Sequence, residues 1–253
     1  MGKQKLDTYL NLCTQVYDLS KPKPPKEAYS FYRSYVAKAN GSVLEPMCGT
    51  GRFLLPLVEE GFAVDGFDAS QDMLEALNAK ATLKSLKPTV WQGFVETLEL
   101  SKKYNLVFIP SGSIGLIIDL QAAKGALKIL YDLLNEGGTL VFEAETLRSV
   151  PSSFGVWNGS IWRRSDGKMI LLNTLDLPLE NSIGTTLCRY ELIDGHQITH
   201  TEIEEFRVRH YDPDAMIEIL REIGFKSCRK LKAFDAATMP GTNDNVVVFE
   251  CKK

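Results

Sequence analysis

The chain has 253 residues, 44% of them hydrophobic and 24% charged, with a formal net charge of −3. That composition supports a full core without staples. It gives no basic face for a nucleic-acid partner, and it holds no run near the roughly 18 apolar residues a spanning helix needs. The five cysteines, Cys13, Cys48, Cys188, Cys228 and Cys251, are odd in number and none has C-x-x-C spacing, so neither a disulfide framework nor a structural zinc site is expected. Lys21 to Lys26 reads as a solvated linker rather than a basic patch. Met1 to Leu12 carries no apolar leader segment, so the expected setting is the reducing cytoplasm.

In chain order, Leu6, Leu10, Cys13 and Tyr17 recur at helical spacing and predict an amphipathic helix ending near Ser20. Pro22, Pro24 and Pro25 break it. Glu27 to Ala39 predicts an aromatic-rich second helix, stopped by Asn40-Gly41. Short strands are then predicted at Ser42–Glu45, Phe62–Phe67, Pro88–Gln92, Asn105–Ile109 and Thr139–Ala144. Helices alternate with them at Arg52–Glu60, Ser70–Leu83 and Gln121–Leu134, the last closed by Gly137-Gly138. Such alternation is the pattern of a parallel sheet covered on both faces.

Beyond residue 150 the pattern becomes that of consecutive strands, at Ser153–Arg163, Met169–Asp176, Gly184–Ile193 and Gln197–Arg209. Asp166-Gly167 and Asp194-Gly195 provide tight-turn signals between them. A helix over Pro213–Ile223, capped by Asp212, and two strands at Phe225–Phe234 and Asn245–Cys251 complete the chain. The last two strands are expected to pair antiparallel. The expected division is a helical cap (1–40), an α/β core (41–150), an antiparallel insert (151–210), and a C-terminal helix and strand pair (211–253).

The informative stretch is Val43-Leu44-Glu45-Pro46-Met47-Cys48-Gly49-Thr50-Gly51-Arg52-Phe53, between the first strand and the next helix. Ligands of open α/β sheets sit at the carboxyl ends of the strands, and Gly49 and Gly51 let backbone approach a ligand closely. Asp68, at the end of the second strand, is placed to accept hydrogen bonds from both hydroxyls of a ribose. A dinucleotide site would need a third glycine where Leu54 stands. Glu45 would repel a pyrophosphate but would hold an ammonium group.

These residues resemble the class I S-adenosylmethionine-dependent methyltransferases, whose first motif reads acid-x-G-x-G-x-G. The resemblance implies a Rossmann-like α/β fold: seven strands with an antiparallel last hairpin, an N-terminal helical cap and an antiparallel β insert like those of small-molecule members. It implies S-adenosylmethionine as cofactor, with the turn from Glu45 through Met47, Cys48, Gly49 and Gly51 around the methionine part and Asp68 on the ribose. Further contacts are implied from Tyr17, Ala69, Met73, Gly93, Phe94, Pro110 and Ser111, and Arg33 is a candidate for the cofactor carboxylate. Two positions depart from the pattern: Met47 replaces the first glycine, and Phe94 stands where an adenine-binding acid is usual, with Glu96 close by.

Pro110-Ser111-Gly112-Ser113 is not the Asn/Asp-Pro-Pro-Tyr/Phe of base amino methyltransferases, and there is no Pro-Cys nucleophile. The expected acceptor is therefore a small molecule, methylated on oxygen or nitrogen by a monomer or homodimer, without nucleic acid or membrane. Ser111-Gly112-Ser113 lacks the glycine of a hydrolase elbow. His196 and His200, four apart in a predicted strand, would lie about 13 Å apart, so no metal is expected. His196, His200 and His210 are candidates for a general base. Ser113, Trp157, Trp162, Arg163 and Tyr190 are candidates for the acceptor pocket or for packing between sheet and insert. A nonenzymatic cofactor-binding protein and a nicotinamide-dependent oxidoreductase are the alternative readings.

Overall fold

The computed structural model describes residues 6–253. Two helices open the described chain, α1 (Asn11–Ser20) and α2 (Lys26–Lys38). The central layer then alternates β1 (Val43–Pro46), α3 (Leu54–Glu59), β2 (Val64–Asp68), α4 (Gln71–Leu83), β3 (Thr89–Gln92), β4 (Tyr104–Ile109), α5 (Leu120–Asp132) and β5 (Leu134–Glu145). Four long strands follow: β6 (Trp157–Arg163), β7 (Met169–Glu180), β8 (Ile183–Asp194) and β9 (Gln197–Arg209). The chain ends with α6 (Pro213–Ile223), β10 (Ser227–Lys232) and β11 (Val246–Lys252).

The main sheet has the order β10-β11-β5-β4-β1-β2-β3, and β11 runs antiparallel to both of its neighbours. Its parallel strands alternate their side chains between two apolar layers. Leu44, Val107, Ile109 and Phe142 face α5 and α6, while Val43, Leu106, Phe108 and Val141 face α2, α3 and α4. Burying each such side chain stabilises the fold by about 1.5–3 kcal/mol. The helices start where short polar side chains satisfy their first amides. Ser70 Oγ accepts from Met73 N at 3.1 Å, Asp119 from Ala122 N at 2.8 Å, and Asp212 from Asp214 N and Ala215 N at 2.9 Å. The insert forms a second sheet, β6-β7-β8-β9, all antiparallel. Its inner face meets α1 through Leu12, Val16, Ile170 and Tyr190. Among the described residues, no helix is long and apolar enough to cross a membrane.

Three boundaries differ from the sequence reading. Helix α1 begins at Asn11, not near Leu6. The glycine pair does not close α5; β5 already begins at Leu134, and Gly137-Gly138 sit in an irregular start where pairing with β4 shifts between Tyr104 and Leu106. The β7–β8 hairpin turns at Asn181 and Ser182, both with positive φ (51° and 64°), a turn without the glycine that usually signals it.

Candidate active site

The cofactor loop is built by backbone geometry. Met47, Gly49 and Gly51 have φ of 56°, 53° and 76°, so the chain after β1 folds back in a left-handed succession that glycine takes freely and methionine does not. Cys48 N donates to Phe67 O at 3.0 Å, and Gly51 N to Cys48 O at 2.9 Å. The two glycines do different work. A Cβ at Gly51 would come within 2.9 Å of Leu55 and Leu77, which makes it a packing glycine between α3 and α4. A Cβ at Gly49 would meet only Met73 Sδ, at 3.9 Å, and Gly49 lines an open cavity.

That cavity, about 320 Å³, is bounded by both layers of the molecule. Met47, Gly49, Asp68, Ala69, Met73, Gly93 and Phe94 form the core side, with Val95 and Glu96 continuing past β3. Thr8, Tyr9 and Tyr17 come from the start of the chain, and Leu116 to Ile118 and Glu205 to Arg207 from the facing wall. Its size lies within the usual range for small-molecule sites. Asp68 is held rigidly at its edge: Oδ2 accepts from Gly49 N at 2.7 Å and Oδ1 from Ser70 N at 2.8 Å. Burial pushes its carboxyl pKa up, and these amide bonds oppose that shift.

Beneath the loop lie Glu45 and Arg52, each with one buried polar atom left unpartnered among the described residues. Glu45 is 2% exposed, and its Oε2 has no hydrogen-bond partner among the described residues; the same is true of Arg52 Nε. Burial holds the Glu45 carboxyl well above its ordinary range, Arg52 opposes the shift, and Asp68 adds to it. Arg52 lies over the rings of Tyr17 (5.5 Å) and Phe53 (5.3 Å) and donates to Ser111 Oγ at 2.5 Å. Isolated buried charges are costly. Neither residue lines the cavity itself: Glu45 is buried behind the loop, and Arg52 opens with Ser111 and Glu143 onto a smaller neighbouring pocket. The neighbouring acid on β5, Glu143, accepts from Tyr32 Oη at 3.0 Å and from Ser111 N at 2.7 Å.

The helical cap is fastened across this site. Asp18 accepts from Thr50 Oγ1 at 2.6 Å and from Lys80 Nζ at 2.7 Å, joining α1 to the glycine loop and α4. The N-terminus of α1 has no side-chain cap of its own. Two carboxylates of β9 supply it: Glu204 accepts from Tyr9 N (2.8 Å) and Leu10 N (3.0 Å), and Glu202 from Leu12 N (2.7 Å).

Several sequence candidates lie elsewhere. Arg33 pairs with Glu60 and lies over the Phe62 ring, away from the cavity. Cys48 is buried against Gly66, and burial pushes its thiol pKa up. Pro110 is buried at the end of β4 without reaching the cavity, and Ser113 Oγ turns back to Pro110 O at 3.0 Å. Trp157 is 52% exposed on edge strand β6, and Arg163 reaches Met169 on the next strand. Trp162 and Tyr190 pack under α1. His196 sits in the β8–β9 turn, and His200 is exposed beside Glu202. His210 alone of the three histidines is buried, 7% exposed, with Nδ1 3.0 Å from Ser149 Oγ. The alternation along the insert decides this outcome: β9, rather than β6 or β8, brings side chains to the cavity. Arg52 was missed although it directly follows the glycine loop.

The architecture is a Rossmann-like α/β fold with an added antiparallel sheet. Residues 43–138 match the family model described as "Methyltransferase domain". "Putative methyltransferase GWCH70_2453" from Geobacillus sp. (strain WCH70) is 25% identical over 94% of this chain and 96% of that protein. In fold, the chain is similar to an S-adenosylmethionine-dependent methyltransferase from Clostridium acetobutylicum (TM-score 0.75, 20% identity, 94% and 96% of the two chains). It is also similar to the sugar N-methyltransferase KedS8 from Streptoalloteichus sp. (TM-score 0.74, 18% identity, 98% of each). The matched region and the shared fold support an S-adenosylmethionine-dependent methyltransferase. They favour this reading over the nicotinamide and nonenzymatic ones.

Proposed function

We propose that this enzyme transfers the methyl group to nitrogen or oxygen of a small molecule enclosed between the main sheet and the insert. The observation that carries the reading is the far wall of the cofactor cavity. Leu116 to Ile118 and the Glu205–Arg207 segment of β9 face the core side across it, so a ligand there is bounded by the main sheet and by the insert. The similarity to sugar N-methyltransferases supports an acceptor of that size.

When bound, the cofactor supplies an already activated sulfonium methyl. The protein's part is proximity and orientation. In this reading Asp68 takes the ribose hydroxyls, Glu45 and Arg52 take the ammonium and carboxylate of the methionine part, and Gly49 gives passage to the ligand. Phe94 and Met73 flank the base, and Tyr17 and Tyr9 close over it with α1. Enclosure by the cap and insert excludes water.

The test is to incubate the enzyme with methyl-tritiated S-adenosylmethionine and a cell extract divided at about 1 kDa. The label is expected in the low-mass fraction. Label incorporated only into protein or nucleic acid would overturn the proposal.

A further inference from the structure

A second cavity of about 200 Å³ lies between the end of β5 and the insert. It adjoins the cofactor cavity through Phe206, a residue lining both. Its polar groups are Glu145, Asp176, His210, Ser149 and Thr186, and none of its lining residues is Lys or Arg. Glu145 stands at the carboxyl end of β5, where open α/β sheets place their ligands.

The polar groups are ordered. Ser149 Oγ lies 3.1 Å from Glu145 Oε2, 2.8 Å from Thr146 O and 3.0 Å from His210 Nδ1. Asp176 Oδ1 accepts from Thr186 Oγ1 at 2.7 Å. A serine hydroxyl has one proton to give, and two oxygens already compete for it. With the Ser149 proton directed to Glu145 or Thr146 O, His210 Nδ1–H donates to Ser149, and in the neutral ring Nε2 is then the acceptor. Nε2 has no hydrogen-bond partner among the described residues and lies where a Cβ on Gly184 would come within 2.9 Å. Glycine at 184 thus makes room for this ring. The result is a cavity with two carboxylates, apolar walls, no Lys or Arg, and one imidazole whose Nδ1 lies 3.8 Å from Glu145 Oε2.

We infer that this cavity selects an amine-bearing acceptor, with Glu145 and Asp176 attracting its ammonium group and His210 Nε2 accepting one of its hydrogen bonds. The inference rests on the small-molecule reading above and narrows it from oxygen or nitrogen to nitrogen. An alcohol of the same shape would meet the same walls but bring no positive charge to either carboxylate.

The test uses the enzyme saturated with S-adenosylhomocysteine. Cyclohexylamine hydrochloride and cyclohexanol serve as probes, with calorimetry and NMR of ¹⁵N-histidine-labelled protein as readouts. The amine is expected to bind at least tenfold more tightly than the alcohol and to move the His210 resonances. Those of His196 and His200, on the outer surface, should stay in place. Glu145→Gln and Asp176→Asn should each remove the preference for the amine. Equal binding of the two probes, no measurable amine binding, unmoved His210 resonances, or a preference retained in both variants would each overturn the inference. Failure of the wild-type enzyme to bind S-adenosylhomocysteine would instead strike the cofactor reading on which it rests.

Discussion

In the proposed site, Asp68 has the largest part of any single side chain. Its two oxygens already order the glycine loop and the start of α4 through Gly49 and Ser70. Loss of a charged acceptor costs about 1.5–3 kcal/mol. Asp68→Ala should therefore weaken S-adenosylhomocysteine binding by roughly 10- to 150-fold, read by calorimetry; unchanged affinity would refute the ribose assignment. Glu45 makes a pH-dependent prediction. Its carboxyl pKa is raised in the folded protein above the ordinary value of 4.5. The stability it contributes is thus fully present below about pH 4.5 and is lost as pH rises through the folded value. Without ligand, Glu45→Gln should match the wild type at low pH and exceed it in stability at pH 8, as measured by urea unfolding. A ligand ammonium reverses the preference by stabilising the carboxylate, so wild-type affinity should rise with pH over the same interval and flatten in Glu45→Gln.

The elements were legible to different degrees, for physical reasons. Helices α4 and α6 announce themselves because Ser70 and Asp212 cap them locally, and the strands of the main sheet show as apolar runs because both their faces are covered. Helix α1 was misplaced at its start because Glu202 and Glu204, some 190 residues away, provide its cap. Nothing local encodes that. The Gly137-Gly138 pair misled because glycine serves an irregular strand start as readily as a helix end. The glycine loop and Asp68 were readable since their spacing is set by one β-α-β unit. The acceptor side was not, because which face of β6 to β9 turns inward depends on how the insert packs on α1. A prediction belongs to this clasp. Glu204→Ala leaves two part-buried amides unsatisfied, at about 1–3 kcal/mol. It should lower the melting temperature and increase chymotryptic cleavage after Tyr17, within α1; unchanged proteolysis would show that α1 is held by its apolar contacts alone.

At the scale of the whole molecule, the cofactor cavity joins the beginning, middle and late part of the chain, from Thr8 through Phe94 to Arg207. A ligand that touches all three stabilises the fold as a unit. At 100 times its dissociation constant it contributes about 2.7 kcal/mol, which for a chain of this size raises the melting temperature by roughly 5–10 °C. S-adenosylhomocysteine should produce that shift and NAD should not; the reverse result would overturn the site as drawn.

The bond between β9 and the start of α1 is made to amide hydrogens, and every residue but proline carries the same one. It is therefore indifferent to which side chains stand at positions 9, 10 and 12. The joint thus survives a change of side chain, although Leu12 is also held by its burial against the insert, and proline at any of the three positions would remove a donor from it.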